Sequence, residues 1–393
     1  MVKNFKANIW KIYLFNMLRN MMFVSPVLIP FFTDWGGLSF FQIMILQSWF
    51  LFCFFIFEIP TGTVADFLGR KHSLLLASAI NIAGALVYGS IPNFYIFMLG
   101  EFLWGLSMSL YSGATEAFVY DSLKEINETE KSKKIMGRMQ SFNLVGIMIG
   151  AIFGSIIVVI FDLRATMLFV SIPTGFALFI GLTFKEPPLQ ETTESRSYFT
   201  ILKEGVKYLH EHKILKILAI DMIFLASVAY WMIWLWQPML KEANVEIFYY
   251  GFVNVALLII EIAIMNSYEG LEKLFRSKKR LVFFTSFMTG IGFIIGGLTS
   301  FLPFVLLAIF LAGGFGLSRR PLLISYMNKY IPSEKRATVI STATMFEKMV
   351  CAIFNPFVGL LVDWSLSYTL IIIGIVAVVF SLISKVEENH LIE

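Results

Sequence analysis

Charge is scarce in this chain. Asp, Glu, Lys and Arg make up 15% of its 393 residues, against roughly 25% in soluble proteins. So small a polar supply cannot cover a water-soluble globule, which excludes an ordinary cytosolic enzyme. Cysteine is nearly missing too. Cys53 and Cys351 each sit in an apolar run, so there is neither a disulfide framework nor metal-ligand spacing. No Gly-x-x-x-x-Gly-Lys-Ser/Thr is present to cradle nucleotide phosphates, so an ATP-driven pump would need a separate subunit. His210-Glu-His212 has the wrong spacing for a zinc-protease helix, and no serine elbow or dinucleotide fingerprint follows a strand. Strict polar–apolar alternation is also lacking, which argues against an outer-membrane barrel.

What the chain has in abundance is apolar surface: 58% hydrophobic residues, with 41 Phe, 14 Tyr and 8 Trp. That is far too many aromatics for disorder. The fold class expected is an all-α membrane protein. A spanning helix needs about 20 mostly apolar residues, and twelve such stretches can be placed: 9–31, 40–61, 73–91, 94–119, 139–161, 165–184, 214–238, 247–267, 281–300, 303–326, 337–362 and 366–384. The basic start of the chain runs straight into the first, which reads as a retained transmembrane helix and not a signal peptide.

The polar stretch 185–213 splits the spans six and six. The expected organisation is a six-helix half over 1–184, a linker over 185–213 and a second half over 214–393. Within the linker, Phe199, Leu202, Val206 and Leu209 recur at near-helical spacing. They predict an amphipathic helix, either on the membrane surface or solvated. Orientation follows from the basic residues. A cytoplasmic N-terminus puts most of the 31 Lys and Arg residues in cytoplasmic loops and leaves Arg164 and Lys241 outside. Both termini are therefore expected inside, in the cytoplasmic membrane. Basic runs such as Lys278-Lys279-Arg280 are read as topology determinants, not as nucleic-acid sites.

An internal repeat supports the even division. Asp66 followed by Arg70 is echoed by Glu272 followed by Arg276, about 206 residues on, and the same offset relates Tyr120 to Tyr326. Parallel-related halves around a central cavity are the implied design.

Gly62-Thr-Val-Ala-Asp66-Phe-Leu-Gly69-Arg70-Lys71 resembles the loop signature between spans two and three of the major facilitator superfamily. The likeness covers the whole chain, in length, span count and loop placement. It implies a transporter, not an enzyme, with no bound cofactor and a small-molecule substrate. A monomer bathed in lipid is expected, driven by the proton gradient. Gly62 permits close helix approach and Gly69 a tight turn. The resemblance places Asp66 at the N-terminus of span eleven, which is expected to begin near Ala337. It sets Arg70 and Lys71 near an acid at the end of span four, which here is Asp121, with Glu58 nearby. Together these residues would latch the halves on the cytoplasmic side. The flanking Glu58-Ile-Pro60-Thr-Gly62 and Ser112-Gly-Ala-Thr-Glu116-Ala-Phe-Val-Tyr-Asp121 resemble a multidrug-permease-like subgroup of bacterial and archaeal members.

Span five reads Gly146-Ile-Met-Ile-Gly150-Ala151-Ile-Phe-Gly154-Ser155. It resembles the antiporter signature of the superfamily, with Ala151 in place of Pro and Ser155 in place of Gly. The resemblance implies export. Plain close packing of a small-residue face explains the same glycines.

Ionisable groups inside spans are functional candidates by default, because burying them is costly. Arg19 lies in span one, Glu116 in span four, Asp221 in span seven, and Arg319 and Arg320 in span ten. These are the spans that line the cavity in the family. Arg19 with Glu116, and Asp221 with Arg319 or Arg320, are expected to pair within one half. One carboxylate exchanging its arginine for a proton would couple transport to the gradient. Glu101, Glu261 and Glu347 are secondary proton or substrate candidates. Trp231, Trp234 and Trp236 read as an interfacial belt or as an organic-cation site. The function expected is a proton-coupled exporter of small organic molecules. Its rival is an importer or uniporter of an anionic metabolite held by the arginines, and a lipid flippase or non-transporting receptor is the third possibility.

Overall fold

The computed structural model describes residues 3–188 and 198–392. Every regular element among them is helical. The chain divides into two compact units: Met1–Ser195 with Ile247–Asn254, and Arg196–Glu246 with Val255–Glu393. Eleven segments of the described residues are long and apolar enough to cross a membrane, one fewer than the sequence suggests.

The missing one is the first. Where one helix is expected over 9–31, α1 (Lys3–Arg19) stops after 17 residues. Short turns follow at Ser25–Val27, Leu28–Pro30 and Phe31–Trp35. Two causes are local. The Asn20 side chain donates to the Asn16 carbonyl at 2.8 Å, so it competes with the backbone ladder. Pro26 and Pro30 then supply no N–H to rebuild that ladder. Irregular backbone within a bilayer persists only where protein covers it, and the first unit provides that cover from α5.

The rest of the first unit comprises α2 (Phe40–Leu68), α3 (Arg70–Tyr88), α4 (Phe94–Lys124), α5 (Ser132–Ile160), α6 (Leu163–Leu168) and α7 (Ser171–Leu182). Polar caps start several of them. Ser39 and Gln42 form a capping box on α2, Asn93 caps α4 and Asp162 caps α6. α3 packs on α4 and α7, while α1 packs on α5 and α7.

The second unit comprises α8 (Tyr198–Glu211), α9 (Lys213–Glu242), most of α10 (Tyr250–Phe275), α11 (Lys278–Leu298), α12 (Leu302–Met327), α13 (Ser333–Trp364) and α14 (Leu366–Ile383). Here α11 packs on α12 and α14. The third helix of each half thus has the fourth and sixth as neighbours, as an internal repeat requires.

α8 is the amphipathic helix of the linker, and it is docked on protein. Gly205 meets Thr342 of α13 so closely that a Cβ would strike its side chain. Leu209 is buried, while Val206 stays exposed. The Phe199 side chain lies outside the described residues. The tryptophans depart from a belt as well. Trp231, Trp234 and Trp236 are all buried, and Trp231 Nε1 donates to Asn355 Oδ1 at 3.0 Å. An indole N–H with a partner inside the unit has no need of the membrane interface.

Candidate functional site

In the first unit the loop between α2 and α3 turns at Gly69, whose φ is +97°. Arg70 Nε stands 3.7 Å from Asp121 Oδ2 at the end of α4. The adjacent contact is one that sequence reasoning did not find. Glu186, just past α7, accepts from the Lys71 N–H with both oxygens, at 3.2 and 3.0 Å. His72 Nδ1 lies 3.4 Å from the same carboxylate, and Lys71 Nζ donates to the Leu182 carbonyl at 2.9 Å. A Cβ on Gly69 would come within 2.7 Å of the Glu186 carboxyl carbon, so the glycine answers both the turn and the close approach. Gly62 and Asp66 lie within α2, and their side chains are outside the described residues.

The second unit has its own version. Glu388, past α14, accepts from Ser277 Oγ at 2.5 Å and from the N–H groups of Lys278 and Lys279 at 2.8 and 2.9 Å. Lys278 Nζ stands 3.6 Å from Glu272 Oε1. In both units an acid after the last helix caps the N-terminus of the third, where a helix favours negative charge. Glu186-Pro187-Pro188 and Glu387-Glu388 were the available signals, each an acid just past the sixth span of its half.

Partial burial alone would raise the Glu388 carboxyl. The Ser277 hydroxyl, the N–H groups of Lys279 and Lys278 and the Lys278 charge outweigh it, and hold it below the usual carboxylate range. The sign follows: the cap is fully present above the ordinary carboxylate pKa and is lost as pH falls through the depressed one. The protection of the Lys278 and Lys279 amides, taken relative to their intrinsic exchange rates, should therefore fall on acidification. E388Q should show the reduced protection already at pH 7; equal protection in both proteins would remove the cap.

Deeper in the first unit, Arg19 ends α1 with its guanidinium 3.4 Å from the centre of the Tyr111 ring. Its Nη2 lies 3.6 Å from Met108 Sδ, and its buried Nε has no partner. The Tyr111 hydroxyl donates to Asn16 Oδ1. The expected pair with Glu116 is not formed, and Glu116 is exposed on α4. Five residues carry it about 140° around the helix from Tyr111, away from the face that Arg19 covers. Glu101 is buried and accepts from Gln47 Nε2 at 2.7 Å.

The glycines of α5 serve the break in α1. Gly146 abuts the Met17 carbonyl, Gly150 the backbone of Met21 and Met22, and Gly154 the Phe23 carbonyl and Pro26. Ser155, where the antiporter signature has glycine, accepts from the Gly251 N–H at 2.7 Å.

In the second unit Asp221 pairs with Arg319 and not with Arg320. Arg319 Nη2 meets Asp221 Oδ1, and Arg319 Nε donates to Thr285 Oγ1 at 3.2 Å. Ser384 Oγ donates to Asp221 Oδ2 at 2.7 Å. Asp221 is 2% and Arg319 3% exposed. Arg320 turns to α13, with Nε 3.6 Å from Glu347 Oε2 and Nη2 donating to Thr344 Oγ1 at 2.9 Å. Glu261 on α10 is partly buried and has no ion pair among the described residues. No group of three or more potential metal ligands occurs among them either. Each unit thus carries a buried arginine, one with a carboxylate and one over an aromatic ring.

Comparison with known proteins agrees with this architecture. The family description Major Facilitator Superfamily matches residues 9–288. The "D-xylose-proton symporter-like 3, chloroplastic" of Arabidopsis thaliana is 28% identical over 124 residues, which is 31% of this chain and 21% of that relative. The chain thus matches only about a fifth of that relative's length. The "Uncharacterized MFS-type transporter YxaM" of Bacillus subtilis is 24% identical over 347 residues, 84% of this chain and 83% of that one. The crystal structure of the nucleoside transporter NupG superposes with a TM-score of 0.80 at 13% identity, covering 95% of this chain and 97% of that one. With most of its length matched by the family description and its fold shared with a solved transporter, this chain is a multi-pass membrane transporter and no enzyme, and it belongs to the major facilitator superfamily.

Proposed function

We propose that this chain is a proton-coupled carrier of a small organic solute in the cytoplasmic membrane. It works by alternating access as a monomer, with both termini inside. The observation that carries the proposal is the Asp221–Arg319 pair, buried inside one unit with Thr285 and Ser384 as its further partners. Removing one charge from a buried pair leaves the other uncompensated. A proton on Asp221 therefore compels Arg319 to find a new partner, and that ties protonation to rearrangement. A symporter name among the relatives supports coupling in this family branch.

The export direction and the multidrug-permease-like assignment rest on the α5 glycines and on the flanks of the α2–α3 loop. Seating residues 17–23 gives those glycines a packing task that either direction requires. The sign of proton flux decides between them: antiport makes the chain an exporter, symport an importer. A thermal-shift panel of sugars, nucleosides, organic anions and cationic dyes supplies the solute. Its flux is then driven by an imposed pH gradient in proteoliposomes. D221N is expected to abolish the response to the gradient while still exchanging the solute at equal pH; full gradient-driven flux in D221N would refute the coupling.

A second observation bears on the solute. Arg19 is a buried cation with an unpartnered Nε, and a carboxylate or phosphate is the group that matches a guanidinium fork. Anionic compounds are therefore expected to give the largest stabilisation in the panel, and R19Q to lose it. Stabilisation by cations alone, unchanged in R19Q, would exclude an anionic solute.

A further inference from the structure

Asp221 lines a cavity of about 420 Å³ that lies wholly within the second unit. The cavity runs between α11 and α14. Ser286, Ser381, Ser384, Lys279 and Arg280 line it as well, beside four apolar side chains, and the two cations lie in the first turn of α11. At about 30 Å³ per molecule it has room for roughly a dozen waters. The polar groups in its mixed lining call for a reason, because hydroxyls and a carboxylate facing lipid would be costly. Ser286 Oγ donates to the Val282 carbonyl at 2.8 Å and Ser381 Oγ to the Val378 carbonyl at 2.7 Å. Each donor is thereby spent within its own helix, and each oxygen keeps lone pairs for water. Arg319 from α12 pairs with Asp221, Thr285 from α11 accepts from Arg319, and Lys279 and Arg280 from α11 and Ser384 beyond α14 line the cavity.

We propose that this crevice between α11 and α14 is a water-filled entry through which protons reach Asp221 from the side that bears Lys279 and Arg280. It deepens the coupling proposed above and rests on that reading of Asp221.

Thiol labelling of the full chain in membrane vesicles tests the inference without any substrate. The probe is an anionic, membrane-impermeant methanethiosulfonate. Ser381 and Ser286 are 6% and 2% exposed, whereas Val379, on the opposite side of α14, is 48% exposed and does not line the cavity. S381C and S286C are expected to react at least about tenfold faster than V379C, because a thiol facing lipid ionises poorly. They should react only from the face carrying Lys279 and Arg280. The wild-type chain sets the background, since Cys53 and Cys351 are buried. Rates that follow exposure, with V379C faster than S381C, overturn the crevice, as does an inert thiol in both S381C and S286C. The flux result for D221N is independent. If S381C labels and D221N keeps gradient-driven transport, the entry stands and coupling at Asp221 falls. If S381C is inert and D221N loses coupling, protons take another route.

Discussion

R319M is expected to destabilise the chain by about 3–5 kcal/mol, the range for removing one partner of a buried ion pair. Asp221 would keep only the Ser384 hydroxyl, which cannot replace a guanidinium for a carboxylate at 2% exposure. The D221N–R319M double substitution should recover most of the loss, since removing both charges leaves neither stranded. R320M is the internal comparison. Its guanidinium side chain is 39% exposed and stands 3.6 Å from Glu347. Such a pair is worth less than about 1 kcal/mol. Thermal unfolding of the purified chain in detergent reads all four proteins. Equal losses in R319M and R320M would show that the pair is held too weakly to act as a switch.

Two alanine substitutions on the same helix should have opposite signs. A Cβ at Gly154 would strike the Phe23 carbonyl, a backbone atom that cannot rotate away. G154A is therefore expected to cost about 1–3 kcal/mol through overpacking. It should also loosen residues 20–24, measured as faster hydrogen exchange there. At Gly137 nothing lies within 4 Å of the added carbon. G137A should stabilise α5 by roughly 0.5–1 kcal/mol, the ordinary gain of alanine over glycine in a helix. If G154A is as benign as G137A, the α5 glycines do not seat the interrupted α1, and export regains the stronger claim on them.

These expectations also separate what a linear reading reaches from what it misses. The loop Asp66–Lys71 was visible because its glycine, acid and bases stand at fixed short spacing. The Arg70–Asp121 approach was implied by the family resemblance, which points to an acid at the end of span four. Glu186 and Glu388 were harder to find. Each caps a helix more than a hundred residues earlier, and an acid just past a span carries no mark of the helix to which it reaches back. Arg19 was found as a buried cation, but its neighbour was misassigned to Glu116. Depth along a helix can be counted from sequence, whereas rotation about its axis, 100° per residue, depends on what packs beside it.

The sequence by itself determined the class of the molecule: helical and lipid-embedded. Hydropathy and span length suffice for that, because each residue contributes its transfer cost almost independently of its neighbours. Only the tertiary structure decided that the first span breaks after Arg19, that three glycines hold the break, and that Asp221 takes Arg319 and leaves Arg320 to Glu347. Those outcomes turn on close approach and helix rotation, which are properties of pairs of elements and appear in neither sequence segment alone.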